Sequence, residues 1–393
     1  MLCIVEMSSP PSPDSNGIAG GFAPAGPSDA LGDPGESASG PGPVAPGRAH
    51  RHRFESPFWR KLLLAGIRHI PPNLQRASMP LWAGIFYSLV PSARRNVEGN
   101  LRRVLGDGPA WKAHLQSYKL FVNYAQSITN MYALYLGQPL PVEPEFHGRE
   151  RLVAARAQGR GMIMVTGHLG SWSLGPFLLE RTGFGAPVMA MAEEPNVRLQ
   201  EFEQRFRQRW RIVYTTGSPF ASLELASVLR RGETVGMQLD RHMGGPHVLL
   251  PFFGRPAPFP LGPAMLARAT RAPIVPVFMV REGATGFASR VEEPIEVRRT
   301  ANRQADLIEA TARVVAIYEA YVRRYPYQWF NFHDFWAEPV PPRAPRAPQS
   351  TTTPRGPALR PRALATDENA AAPSKAAAGG EATQSPDEAV GGS

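Results

Sequence analysis

The chain has 393 residues, 43% of them hydrophobic, with a net charge of +10 and an isoelectric point near 10.1. This length admits one large domain or two ordinary ones, and the apolar fraction excludes a wholly disordered chain. The single cysteine, Cys3, excludes an internal disulfide framework and any multi-thiolate metal site, which fits a reducing compartment.

The strongly basic balance calls for an anionic partner, either nucleic acid or a membrane surface. Met1 to Pro10 carry no charged segment followed by an apolar run, so no secretory signal is expected and the cytoplasmic side is the expected location. Residues 1–54 and 338–393 are rich in Pro, Gly, Ser and Ala and poor in large apolar side chains, a composition expected to stay disordered. The folded unit is therefore expected at 55–337, as a helical membrane-associating part over 55–140 and an α/β core over 141–337.

In chain order, the first feature is basic and apolar together. Arg48, Arg51, Arg53, Arg60, Lys61 and Arg68 surround the run Leu62–Ile70, with Trp59 just before it. Basic residues beside Trp and Leu suit a helix lying in a membrane interface, and the competing reading is an ordinary solvated helix face. Met79–Val90, with Trp82, Phe86 and Tyr87, stops at Pro91, well short of the roughly 18–20 apolar residues needed to span a bilayer. The expectation is a peripheral protein on the cytoplasmic face of the inner membrane. Next, Ser92 is placed to cap a helix through Asn96, Val97, Leu101 and Val104 that ends at Gly106 and Gly108. A long helix follows over Pro109–Leu136, with Pro109 in its first turn and Gly137 as its stop.

After Gly148 the rhythm changes. Apolar runs at Met162–Thr166, Pro187–Met191, Ile212–Thr215, Val235–Leu239 and Ile274–Val280 alternate with helical segments at Leu174–Arg181, Val197–Arg209, Phe220–Arg230 and Leu261–Thr270. That alternation predicts an α/β fold: a mostly parallel sheet with helices on both faces and a site beyond the carboxyl ends of the strands.

The loop after the first run is Thr166-Gly167-His168-Leu169-Gly170-Ser171-Trp172-Ser173. A histidine presented where a strand meets a helix suits proton transfer, although a lone histidine also serves structure alone. Gly167 and Gly170 are read as letting substrate approach the backbone, and the following helix start as offering N–H donors to an anion.

The stretch GRGMIMVTGHLGSWSLGPFLL resembles the strand-turn-helix block of the late acyltransferases of lipid A biosynthesis, members of the lysophospholipid acyltransferase family. The resemblance extends to LRRGETVGMQLDRHMGGPHVLLPFFGRPAPFPLGPAMLARATRAPIVPVF, with Asp240 and the turn Phe252-Phe253-Gly254. It also takes in SARRNVEGNLRRVLG upstream and YPYQWFNFHDFW downstream, so it covers 55–337 in order. It implies an acyltransferase-like fold and an enzyme that moves a fatty acyl chain from acyl carrier protein or coenzyme A thioester to a hydroxyl of a lipid A or lysophospholipid-type acceptor. It implies no bound cofactor and no metal, an anionic membrane surface as partner, and no nucleic acid, for which no recognition motif is present.

In that family a histidine and an acid five positions later form the catalytic dyad. Here His168 is present but the fifth position on is Ser173, which offers no charge to an imidazolium. Three readings stay open. Asp240 substitutes for the acid, His168 works slowly alone, or the chain is a catalytically silent lipid-binding or scaffold relative.

The resemblance also implies substrate-binding roles for Gly167, Gly170, Trp172 and Gly254. Arg198, Arg205 and Arg209 share one face at helical spacing, among Arg207, Arg211, Glu201 and Glu203; they suit phosphate groups or form a solvated face. Arg241 stands where relatives carry Gln, which alters the expected donor pocket. His242 and His247 lack the companions of a metal site. Trp329, Phe330, Phe332, Phe335 and Trp336 are read as an aromatic plug of the core, with a lipid-facing lip as the alternative.

Overall fold

The structure, a computed structural model, describes residues 57–139, 144–192, 200–202, 204–205, 210–215, 218, 220–241, 245–283 and 286–337. Contacts divide the chain into Met1–Pro342 and Arg343–Ser393, and every described residue belongs to the first unit. The expectations for 1–54 and 338–393 fall outside the described residues, as do Arg198, Arg207, Arg209 and His242.

Four helices come first: α1 (Pro57–His69), α2 (Pro72–Leu89), α3 (Pro91–Leu105) and α4 (Ala110–Tyr135). In α3 the buried positions Ala93, Val97, Asn100 and Leu101 recur at the three-and-four spacing of a single helix face. Two start signals differ from expectation. The α3 helix begins at Pro91, whose ring-fixed φ suits the first helical position, so Ser92 lies inside the first turn and Val90 is the cap. Pro109 is the cap of α4 and not a first-turn residue. Gly137 ends α4 with φ +75°, a conformation that side chains with a Cβ resist.

The second half is a seven-stranded sheet in the order β1-β9-β8-β2-β5-β3-β4. Its strands are β1 (Glu145–His147), β2 (Met162–Thr166), β3 (Val188–Met191), β4 (Ile212–Tyr214), β5 (Thr234–Gln238), β8 (Ile274–Glu282) and β9 (Gly286–Val291). From β8 through β4 all neighbours are parallel, and β9 runs antiparallel to β8. Helices α5 (Arg149–Ala157), α6 (Gly175–Arg181), α7 (Ala221–Arg230), α8 (Gly262–Thr270) and α9 (Arg303–Arg324) accompany it. The expected α/β class and its five central strands are therefore present. The expected helix at Val197–Arg209 is described only at 200–202 and 204–205, which are helical.

Four strands were not expected. β1 and β9 extend one edge of the sheet. A separate hairpin pairs β6 (His247–Phe252) with β7 (Arg255–Pro260). Its prolines, Pro251, Pro256, Pro258 and Pro260, mask the strand signal, but a two-stranded ribbon consists only of edges, where proline is tolerated. Phe253 and Gly254 form its two-residue turn with φ +49° and +75°, the double positive φ of the turn that suits right-handed strand twist.

The closing segment ties the helices to the sheet. Trp329, Phe330, Phe332 and Phe335 are all buried, the plug reading of the aromatic block. Phe330 and Phe332 pack among the α1–α4 side chains, while Trp329 and Phe335 join the main core. Asn96 Nδ2 donates to the Phe332 carbonyl at 3.1 Å. Asn100 Nδ2 donates to the carbonyls of Asn331 and His333, and Asn100 Oδ1 accepts from the Phe335 N–H, so both ends of its amide are engaged.

Candidate active site

Strand register assembles the site. β2 pairs with β5 in parallel with Thr166 opposite Gln238. Two residues beyond each partner stand His168 and Asp240, side by side at the carboxyl ends of adjacent strands, where α/β sheets place their ligand sites. His168 is 5% exposed and Asp240 is 1% exposed.

The contact between them is direct. His168 Nδ1 lies 2.8 Å from Asp240 Oδ1, and the His168 backbone N–H donates to Asp240 Oδ2 at 2.6 Å. The Tyr318 hydroxyl of α9 donates to Oδ2 at 2.7 Å, and Asn331 Nδ2 donates to the same oxygen at 3.2 Å. Burial acts to raise the Asp240 pKa. Attraction to His168 and the hydrogen bonds from His168 and Tyr318 outweigh it and hold the carboxyl well below the usual carboxylate range. The ionised carboxylate accepts only, so Nδ1 carries the ring proton and Nε2 is left as the basic nitrogen. Burial, reinforced by the nearby Arg241 charge, pushes the imidazole below its ordinary pKa despite Asp240. The resting pair at neutral pH is thus a carboxylate beside a neutral histidine. Burial and the Asp240 charge raise the Tyr318 pKa well above the ordinary tyrosine value, which keeps it a donor.

His168 lines an apolar cavity of about 160 Å³ together with Trp172 and Ser173. Met164, Met189, Leu178 and Trp210 supply much of its wall. Ser173 does not contact Asp240 or His168 by hydrogen bond; its buried hydroxyl makes no hydrogen bond to the described residues. The position five beyond the histidine therefore holds no partner for it, and the acid comes from the neighbouring strand.

The two glycines make room for protein. A Cβ at Gly167 would lie 2.5 Å from the Tyr318 ring, and one at Gly170 would lie 2.0 Å from the Met279 carbonyl oxygen. Three N–H groups of the loop are likewise spent. Those of His168, Gly170 and Ser171 donate to Asp240, to the Gln328 carbonyl and to the Met279 carbonyl. Packing of β8, α9 and the closing segment thus occupies the space beside both glycines and takes up these three N–H groups.

The remaining expected residues scatter. Trp172 sits against His168 with ring centroids 5.2 Å apart. Arg241 is half-buried and near enough for its charge to depress both His168 and His333, the latter to about 4 through burial first and Arg241 second. Arg205 is exposed, and Arg211 pairs with Glu224 at 2.7 Å. Gly254 belongs to the hairpin turn and does not line the His168 cavity. Among the described residues no group of three or more His, Cys, Asp or Glu side chains could hold a metal ion.

Sequence reading missed Tyr318, Asn331 and the Asn96–Asn100 pair. Tyr318 lies in an ordinary amphipathic helix and carries no local signal. The two asparagines four apart on α3, and Asn331 inside an aromatic block, were legible as polar residues at buried spacing.

A histidine held by a buried carboxylate at the strand ends, beside an apolar cavity, is an arrangement chemically suited to proton transfer. The chain belongs to the bacterial lipid A biosynthesis acyltransferase family, whose model matches residues 53–338. A phosphatidylinositol mannoside acyltransferase of Mycolicibacterium smegmatis is 27% identical over 265 residues, 65% of this chain and 83% of the relative. One from Mycobacterium tuberculosis is 25% identical over 60% of this chain and 75% of its own length. Among solved structures, the 1-acyl-sn-glycerophosphate (LPA) acyltransferase PlsC from Thermotoga maritima matches 63% of this chain and 97% of its own, at a TM-score of 0.30 and 16% identity.

Proposed function

We propose that the protein transfers a fatty acyl group from an acyl thioester, on acyl carrier protein or coenzyme A, to a hydroxyl of a membrane lipid, with His168 as general base and Asp240 as its acid partner. The observation that carries this reading is the 2.8 Å contact between His168 Nδ1 and Asp240 Oδ1 beside an apolar cavity.

The chemistry follows from the pair. His168 Nε2 takes the proton of the acceptor hydroxyl as its oxygen attacks the thioester carbonyl carbon. The imidazolium that forms is stabilised by the ionised Asp240, which receives four hydrogen bonds and needs no proton of its own. Collapse of the tetrahedral intermediate breaks the C–S bond, and the departing thiolate takes the proton back from Nε2. The products are an ester and a free thiol. An apolar cavity of roughly 150 Å³ holds a benzene-sized molecule, so the His168 cavity takes the part of the acyl chain nearest the thioester.

The acceptor's place is at a membrane. Among the described residues no helix is long and apolar enough to cross one. α1 and α2 hold Lys61, Arg68 and Arg76 exposed beside exposed Phe58, Leu74 and Leu81, which supports peripheral attachment to an anionic leaflet on the cytoplasmic face. Incubation of the protein with radiolabelled acyl-coenzyme A or acyl carrier protein and a bacterial lipid extract tests the reading. Labelled lipid ester forms with the wild type and not with His168→Ala; failure of both donors to yield ester, or equal yield from the variant, contradicts it.

A further inference from the structure

A second cavity lies across α4 from the first. Met131 and Tyr135 of that helix line the His168 cavity, while Ile128 and Tyr132 line a cavity of about 420 Å³ between α1, α2 and α4. It is the larger of the two, and nothing in the acyl-transfer chemistry uses it. Its wall is largely apolar, with Trp59, Trp82, Phe86 and Phe332 prominent, and among the described residues no acidic side chain lines it.

Three observations define what fits. First, scaling from a benzene-sized cavity of roughly 150 Å³, the volume admits an apolar ligand on the order of fifteen carbons, the size of one alkyl chain and far beyond an ordinary packing void. Second, the cavity opens among exposed apolar side chains. Eight of the fifteen exposed large apolar residues among the described ones fall between Phe58 and Leu89, and three of these, Leu62, Ile70 and Trp82, also line the cavity. Third, residues 57–90 contain no Asp or Glu but carry Arg60, Lys61, Arg68 and Arg76. Arg60 lines the cavity and is buried, and Lys61, Arg68 and Arg76 are exposed around it.

We infer that this cavity is a lipid-tail site, which takes one acyl chain of an anionic phospholipid from the membrane while the basic residues of α1 and α2 meet its headgroup. The site goes beyond acyl transfer and does not depend on it. It turns surface attachment into a specific hold: one lipid chain leaves the bilayer and fills the space that α1, α2 and α4 leave between them.

The test uses the full chain and vesicles of phosphatidylglycerol brominated near the chain ends, with phosphatidylcholine vesicles brominated in the same way for comparison. Bromine near a chain end quenches tryptophan only if that end reaches the indole. Trp59 and Trp82 line the cavity, and the chain holds seven tryptophans, so the Trp59→Phe/Trp82→Phe double variant isolates their share. Gly66→Leu and Ala125→Leu fill the cavity; at Gly66 a new Cβ meets only Ile70 Cδ1 at 3.8 Å, an ordinary contact, so folding is retained and a melting curve checks it. The expected result is quenching by phosphatidylglycerol in the wild type and its loss in the double variant and in both filling variants, which still sediment with the vesicles. Unchanged quenching in the folded filling variants overturns the site, and equal quenching by phosphatidylcholine overturns its anionic occupant.

Discussion

At the scale of single residues, Asp240 carries the account. Its carboxylate fixes the tautomer of His168 and, in the proposed reaction, would face the charge that the ring acquires, two tasks for which a neutral amide fails. Asp240→Asn should lower kcat by roughly 10³–10⁴-fold, about the loss a serine protease suffers from the equivalent change. Tyr318→Phe removes one of the donors on Oδ2 and should cost roughly tenfold, the weight of a single hydrogen bond to a charged group. Its hallmark is a raised apparent pKa in the pH–rate profile, because a carboxylate with fewer donors favours protonation of the pair. Ser173→Glu should not help, since it buries a second carboxylate in an apolar cavity, and both turnover and melting temperature should fall. In the wild type, kcat/KM should rise with pH through a single ionisation below the ordinary histidine value of ~6.5 and stay level above it, because burial and Arg241 keep His168 neutral there. A midpoint well above that value would contradict the resting state described for the pair.

At the scale of elements, the strand-turn-helix after β2 is fixed by what surrounds it. Gly170, at φ +62° with the Met279 carbonyl where a Cβ would go, admits no side chain without moving β8. Gly170→Ala should therefore destabilise by well over the roughly 1–3 kcal/mol of left-handed strain alone, read as a melting shift. Gly167→Ala pushes on the Tyr318 ring and should mimic Tyr318→Phe in the pH profile while adding a loss of stability. The five central strands, the helical preamble and the histidine loop were legible because each is a local pattern: an apolar run, a helical period, a glycine turn. Asp240 was legible as a candidate because it ends such a run. Its pairing with His168 depends on the β2–β5 register, a non-local fact that periodicity does not contain. The hairpin escaped because its prolines speak against strands, and Tyr318 escaped because nothing local sets it apart from the other inward residues of an amphipathic helix.

At the scale of the whole molecule, the buried His168 and the half-buried His333 shape the response to acid. His168 and His333 both lie below the ordinary histidine pKa, so the unfolded chain takes up their protons first as the pH falls. Stability is lost from about pH 6.5 down towards about 4, where His333 titrates, and Asp240, held low in the fold, extends the loss at more acid pH. A melting temperature that is flat across that window would contradict the burial of these groups. Sedimentation with phosphatidylglycerol vesicles should weaken as salt is raised, since the exposed Lys61, Arg68 and Arg76 act through a screened field.

In the proposed reaction the acid partner of His168 is Asp240, beyond the next strand, and not the residue at position 173 of the same loop. The most direct measurement is the rate of acyl transfer to lipid by Asp240→Asn and by Ser173→Ala, each compared with wild type under one donor and one extract and each checked for folding. The account predicts that the first loses nearly all turnover and that the second keeps the wild-type rate. Retained turnover in Asp240→Asn, or its collapse in Ser173→Ala, would contradict it.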